Sequence, residues 1–205
     1  MRILPSTRRF FAPALAVFVL GVSLSSCLST ETTVTLRENG SGTVDFVYRI
    51  DREAWETGVF DDSDAARPIP VGRRDFDRAV LQIDGLRLRS HRISRGDDLV
   101  TVSARIDFAH LDALRALLGA VSLEVRLSEE DGLWRQVVAE GRGAPQAQEL
   151  ARSLEGYELR FELRPPRPVV SAGGQTVAGA RAASFTVPLS EVAAATEPII
   201  WEVRW

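Results

Sequence analysis

From about residue 33 onward, apolar residues recur at every second position, a period that commits the chain to strands with one buried and one solvated face. Val44, Phe46, Tyr48 and Ile50 share one side of such a run. Val100, Val102, Ala104, Ile106 and Phe108 share another, opposite Thr101, Ser103, Arg105 and Asp107. Val34 and Leu36 precede Glu38-Asn39-Gly40-Ser41-Gly42, whose residues tolerate positive φ, and this predicts a hairpin into the Val44 run. Leu86 and Leu88, alternating with Arg87 and Arg89, lead through Gly96-Asp97-Asp98 into Val100. Leu123, Val125 and Leu127 lead through Asp131-Gly132 into Trp134, Val137 and Val138. Tyr157, Leu159, Phe161 and Leu163 alternate with charges, as do Trp201, Val203 and Trp205.

Between these runs the spacing becomes helical. Phe76, Ala79, Val80 and Ile83 fall on one helix face before Gly85, and Leu111, Leu114, Leu117 and Leu118 make a second stripe ending at Gly119. A third helix is expected from Pro145 through Leu154, stopping before Gly156. The expected fold class is α+β: one antiparallel sheet built from hairpins, covered on one face by two or three helices. Two stretches, Thr57–Gly72 and Ser171–Ala183, are expected to be long loops.

The first 27 residues carry a different signal. Arg2, Arg8 and Arg9 precede a 15-residue apolar run, Phe10–Leu24, shorter than the roughly 20 residues needed to cross a bilayer. It ends in Leu24-Ser25-Ser26-Cys27, and Cys27 is the one cysteine in the chain. This resembles the lipobox of bacterial lipoproteins, which implies cleavage between Ser26 and Cys27 and a diacylglycerol on the Cys27 sulfur. Residues 1–26 are then a signal peptide, 27–32 the acylated cysteine and a short tether, and 33–205 a single domain. Two acyl chains are enough for stable anchoring where one is marginal. Thr7-Arg8-Arg9-Phe10-Phe11 also resembles the twin-arginine export motif, although paired arginines are common in such regions and general secretion is the expected route.

Removing the leader leaves 179 residues and takes the formal charge from −3 to −6. All 25 basic residues are arginines interspersed with acids, which argues against a nucleic-acid partner. A single cysteine excludes an internal disulfide and a Cys-rich metal site. His91, placed on the outward side of an Arg-rich strand, and His110, near a helix start, read as solvated rather than catalytic. No G-x-S-x-G, H-E-x-x-H or P-loop pattern occurs. Asp61, Asp62 and Asp64 lack calcium-loop spacing and read as a solvated loop. No metal or soluble cofactor is expected. Arg49, Arg87, Arg89, Arg105, Arg126 and Arg160 are interleaved with Asp45, Asp107, Glu124, Glu158 and Glu162, which predicts a mixed outer face rather than a headgroup-binding one. Trp201 and Trp205 are expected in the core; Trp55, beside the first long loop, is expected there too, with a ligand mouth as the alternative.

Taken together, the lipobox Cys27, the strand after it, Glu38-Asn39-Gly40-Ser41-Gly42-Thr43-Val44, the Tyr157–Pro166 run into prolines, and the closing Phe185-Thr186-Val187-Pro188-Leu189-Ser190 loop with its Trp-ended strand are similar to LppM-type bacterial lipoproteins. The resemblance spans roughly Cys27 to Trp205. It implies an extracytoplasmic α+β domain anchored to a bacterial membrane, inner or outer, with lipid or glycolipid contact and no established catalytic residues. The expected function is non-catalytic binding of a lipid, glycolipid or envelope polymer, between sheet and helices or in a cleft gated by residues 57–72. The alternative is an assembly subunit docking another envelope protein, with a hydrolase of dispersed residues third.

Overall fold

The computed structural model of the chain describes residues 29–56, 70–118, 123–127, 131–141, 147–173, 176–179 and 181–205. Ser26, Cys27, the acidic trio Asp61, Asp62 and Asp64, and residues 57–69 of the first expected loop lie outside them. The elements follow in the order β1 (Ser29–Leu36), β2 (Gly42–Asp51), α1 (Arg52–Glu56), α2 (Arg73–Gln82), β3 (Leu86–Arg95), β4 (Leu99–Phe108), α3 (Leu111–Leu118), β5 (Leu123–Leu127) and β6 (Gly132–Ala139). Then come α4 (Ala147–Ser153), β7 (Glu158–Arg164), β8 (Ser171–Ala172), β9 (Thr176–Gly179), β10 (Ala182–Pro188), α5 (Leu189–Ala194) and β11 (Ile199–Arg204). The class is α+β. β1 begins at Ser29, inside the stretch assigned to the tether, so the sheet starts two positions after Cys27 in sequence.

The expectation of a single antiparallel sheet is corrected. Seven strands form one sheet in the order β3-β4-β2-β1-β7-β10-β9, and four form another in the order β5-β6-β11-β8. In the larger sheet β1 pairs antiparallel with β2, Val34 opposite Val44, and parallel with β7, Val34 opposite Leu163. Turn signals mark only strands adjacent in sequence; a parallel partner more than a hundred residues away leaves no local trace. The second expected loop is also corrected, since Ser171–Ala183 contains β8, β9 and the start of β10. Likewise Phe185-Thr186-Val187-Pro188 belongs to strand β10, and Leu189 and Ser190 open α5.

Register puts every core-facing residue of the larger sheet on one face. Gly42, Val44, Phe46, Tyr48 and Ile50 lie opposite Phe108, Ile106, Ala104, Val102 and Val100, while Phe161 lies between Thr32 and Phe185. Seven strands about 4.8 Å apart make a face roughly 29 Å wide, and one helix covers only about 10 Å of it. The helical cover expected from the sequence is therefore corrected: two lids share the face. Over β2 and β4, α1 and α2 bury Ala54, Val71 and Phe76 against Tyr48, Ile50, Val102, Ala104 and Ile106. Over β1, β7 and β10, the smaller sheet and α3 bury Trp134, Trp201, Val203, Trp205 and Leu114 against Val34, Leu163, Phe185 and Val187. The opposite face of the larger sheet is polar, with Arg105 donating to Asp45 (2.6 Å), Arg164 to Glu162 (2.6 Å) and Arg49 to Glu31 (3.4 Å), and Arg89 paired with Asp107.

Candidate functional site

Among the described residues the lids leave a gap. Between them lies a cavity of about 540 Å³ whose floor is Thr32 of β1, Phe46 and Tyr48 of β2, and Leu159 and Phe161 of β7. One wall is α2, through Asp75, Phe76, Arg78, Ala79 and Gln82, with Pro70 and Ile83 beyond its ends. The other is Gln136 and Val138 of β6 with Ala116, Leu117 and Leu118 at the end of α3. The exposed rim is Arg78, Gln82 and Ala116.

Each wall is placed by its own packing. Phe76 is fully buried and anchors α2, its ring 6.3 Å from Phe46 and 5.5 Å from His91. The Asp75 carboxylate accepts the backbone N–H of Gly72 (2.9 Å) and of Val71 (3.3 Å), which satisfies donors at the start of α2 and favours its positive end. On the other side, Trp201 packs edge-on to Trp134 (6.0 Å) and against Phe185 (5.9 Å) and Phe161 (6.0 Å), holding β6 and β11 over β7 and β10. Phe46 and Phe161 sit at inward register positions yet remain only half-buried: Phe76 packs beside the first and Trp201 beside the second, but neither lid closes over the gap between them.

Thr32, Tyr48, Asp75, Arg78, Gln82 and Gln136 bring polar groups to the cavity. Gln136 is 7% exposed and its Oε1 has no hydrogen-bond partner, a state that ordinarily costs a folded protein about 1–3 kcal/mol. Thr32 is also buried. Burial pushes the Tyr48 hydroxyl well above the ordinary phenol range, so it stays neutral and remains a donor. The cavity thus sets polar groups on its walls and rim against a mainly aromatic and aliphatic floor, the composition of a small-ligand site.

The residues singled out in the sequence fall elsewhere. His91 is corrected: a β-bulge between Leu88 and Ser90 shifts the side-chain parity by one, so His91 faces inward. Its Nε2 lies 2.9 Å from the Val71 carbonyl and therefore donates to it. His110 caps α3, its Nδ1 accepting the Ala113 N–H (3.2 Å). Trp55 is half-buried with the Arg95 guanidinium 6.0 Å over its ring, in a separate shallow pocket with Arg52, Glu56 and Val100. Trp201 and Trp205 are buried in the core. Of the residues 57–72, Pro70 lines the cavity. Among the described residues no three His, Cys, Asp or Glu side chains cluster as metal ligands, and no helix is long and apolar enough to cross a membrane. The cavity residues passed over in the sequence, Thr32 and Gln136 above all, carried one signal: polar side chains at inward positions of otherwise apolar strand faces.

No family model and no curated protein matches the chain. Among solved structures, the fold is similar to the NMR structure of the folded domain of the LppM protein of Mycobacterium tuberculosis, with a TM-score of 0.50 and 11% identity over 86% of this chain and 88% of that one. At that identity the likeness is one of fold.

Proposed function

We propose that this chain is an acylated envelope lipoprotein whose domain holds a lipid, glycolipid or envelope polymer without catalysis. In this reading the leader ends at Ser26, Cys27 carries a diacylglycerol, and the anchor keeps the domain at an extracytoplasmic membrane surface. The observation that carries the binding role is the gap between the lids: two aromatics, Phe46 and Phe161, face inward and stay half-buried among the described residues. Covering apolar surface yields about 25 cal/mol per Å², so an apolar ligand completes a core that the lids leave open. The lipobox pattern supports the anchor, and the similarity to an LppM domain is consistent with this class of fold.

Native mass spectrometry with lipid extraction, on protein purified from its own membranes beside a Cys27→Ala control, tests both halves. Acyl mass at Cys27 and a non-covalent lipid retained by the control support the reading. An acylated chain with an empty domain would remove the binding role, and unmodified Cys27 would remove the anchor.

A further inference from the structure

Three features of the seam narrow what it can hold. The first is size. At about 540 Å³ the seam falls in the roughly 300–1,000 Å³ range of sites that bury one small ligand, which suits a single acyl chain with its head. The second is charge at the mouth. Arg73 pairs with Asp77 (3.5 Å) and Asp75 is engaged by the start of α2, whereas Arg78 on the exposed rim makes no ion pair or hydrogen bond with any described residue. The third lies deeper: the Gln136 oxygen, 93% of its side-chain residue withdrawn from solvent, is an acceptor without a donor.

On the lipid-binding reading above, we infer that the seam takes one acyl chain bearing an anionic head at the rim and a hydroxyl deeper along the chain, rather than a two-chain lipid. The chain lies on Phe46 and Phe161, the head meets Arg78, and the hydroxyl donates to Gln136. A site whose buried acceptor is satisfied only by the ligand discriminates against analogues that lack the donor.

The test uses the mature chain with Cys27→Ala, so that the anchor cannot supply the acyl chain, and combines calorimetric titration with quenching of indole fluorescence by brominated ligands. Trp201 packs on Phe161 of the cavity floor, one side chain away from the ligand, and reports occupancy. Palmitate binds one per chain, and within a series of hydroxypalmitates one whose hydroxyl lies away from the carboxylate binds about ten-fold tighter. Gln136→Met abolishes that preference. Arg78→Gln weakens both acids about five-fold, the scale of an exposed ion pair, and leaves methyl palmitate unaffected. If phosphatidylglycerol vesicles deliver a two-chain lipid to the cavity while palmitate does not bind, the single-chain inference fails and lipid binding stands. If the folded protein takes up neither, both fail. Equal binding of palmitate, its methyl ester and every hydroxypalmitate of the series overturns the roles of Arg78 and Gln136.

Discussion

Gln136→Met offers a measurement in which stability and function move in opposite directions. The side chain is 7% exposed, and its oxygen has no partner. Methionine has a similar length, fills irregular space well and carries no group to be desolvated. Removing an unsatisfied buried polar group recovers about 1–3 kcal/mol, and because Gln136 borders a cavity that water can enter, the lower end applies. For a domain of this size each kcal/mol moves Tm by roughly 2–4 °C, so the unliganded variant should melt about 2–4 °C higher and unfold at higher urea with an unchanged m-value. Gln82→Met on the exposed rim of the same cavity is the control and should change stability by less than about 0.5 kcal/mol. A Gln136→Met variant that is less stable than its parent would refute the reasoning, because it would mean that the amide is satisfied in the empty domain and is not held in reserve for a ligand.

Phe76→Ala should cost about 3–5 kcal/mol, since the ring is fully buried and fixes α2 to the larger sheet; urea unfolding gives the loss, and hydrogen exchange should show α2 opening ahead of the rest. Gly132→Ala should destabilise by at least about 1–3 kcal/mol, because a Cβ there overlaps the buried Trp205 indole and Gly132 and Trp205 exchange backbone hydrogen bonds of 2.8 and 3.1 Å. Tyr48 has its pKa raised by burial, so the folded state holds its proton longer than the unfolded chain does. Stability is therefore fully present below the ordinary phenol value near 10 and falls as pH rises above it, by up to about 1.4 kcal/mol per pH unit, and Tyr48→Phe should flatten that alkaline limb in chemical denaturation.

Legibility in the sequence followed how local each determinant was. The inward face of β2 and β4 could be read directly because Val44–Ile50 and Val100–Phe108 alternate without interruption. The stripe Phe76, Ala79, Val80, Ile83 placed α2 for the same reason. The face of His91 was misread because one extra residue at the bulge inverts everything after it, and nothing in Leu88-Arg89-Ser90 announces that. β10 was hidden by Ala182, Ala183 and Pro188, small or ring-closed residues with weak strand character. The parallel β1–β7 pairing and the separation into two sheets depend on contacts between distant segments. The cavity follows from these, since it exists only where α2 and β6 stop short of one another above Phe46 and Phe161. Thr32 and Gln136 were visible as polar residues out of pattern, but their meeting in one cavity was not.

The central claim, that the gap between the lids is a lipid site, is tested most directly by blocking it. Ala79 lines the cavity from α2, and Ala79→Trp places an indole where the ligand would lie. The Cys27→Ala chain with and without Ala79→Trp, each purified from its own envelope and weighed by native mass spectrometry, should show one non-covalent lipid on the open form and none on the folded, blocked form. The same lipid on both, or none on the open form, would contradict it.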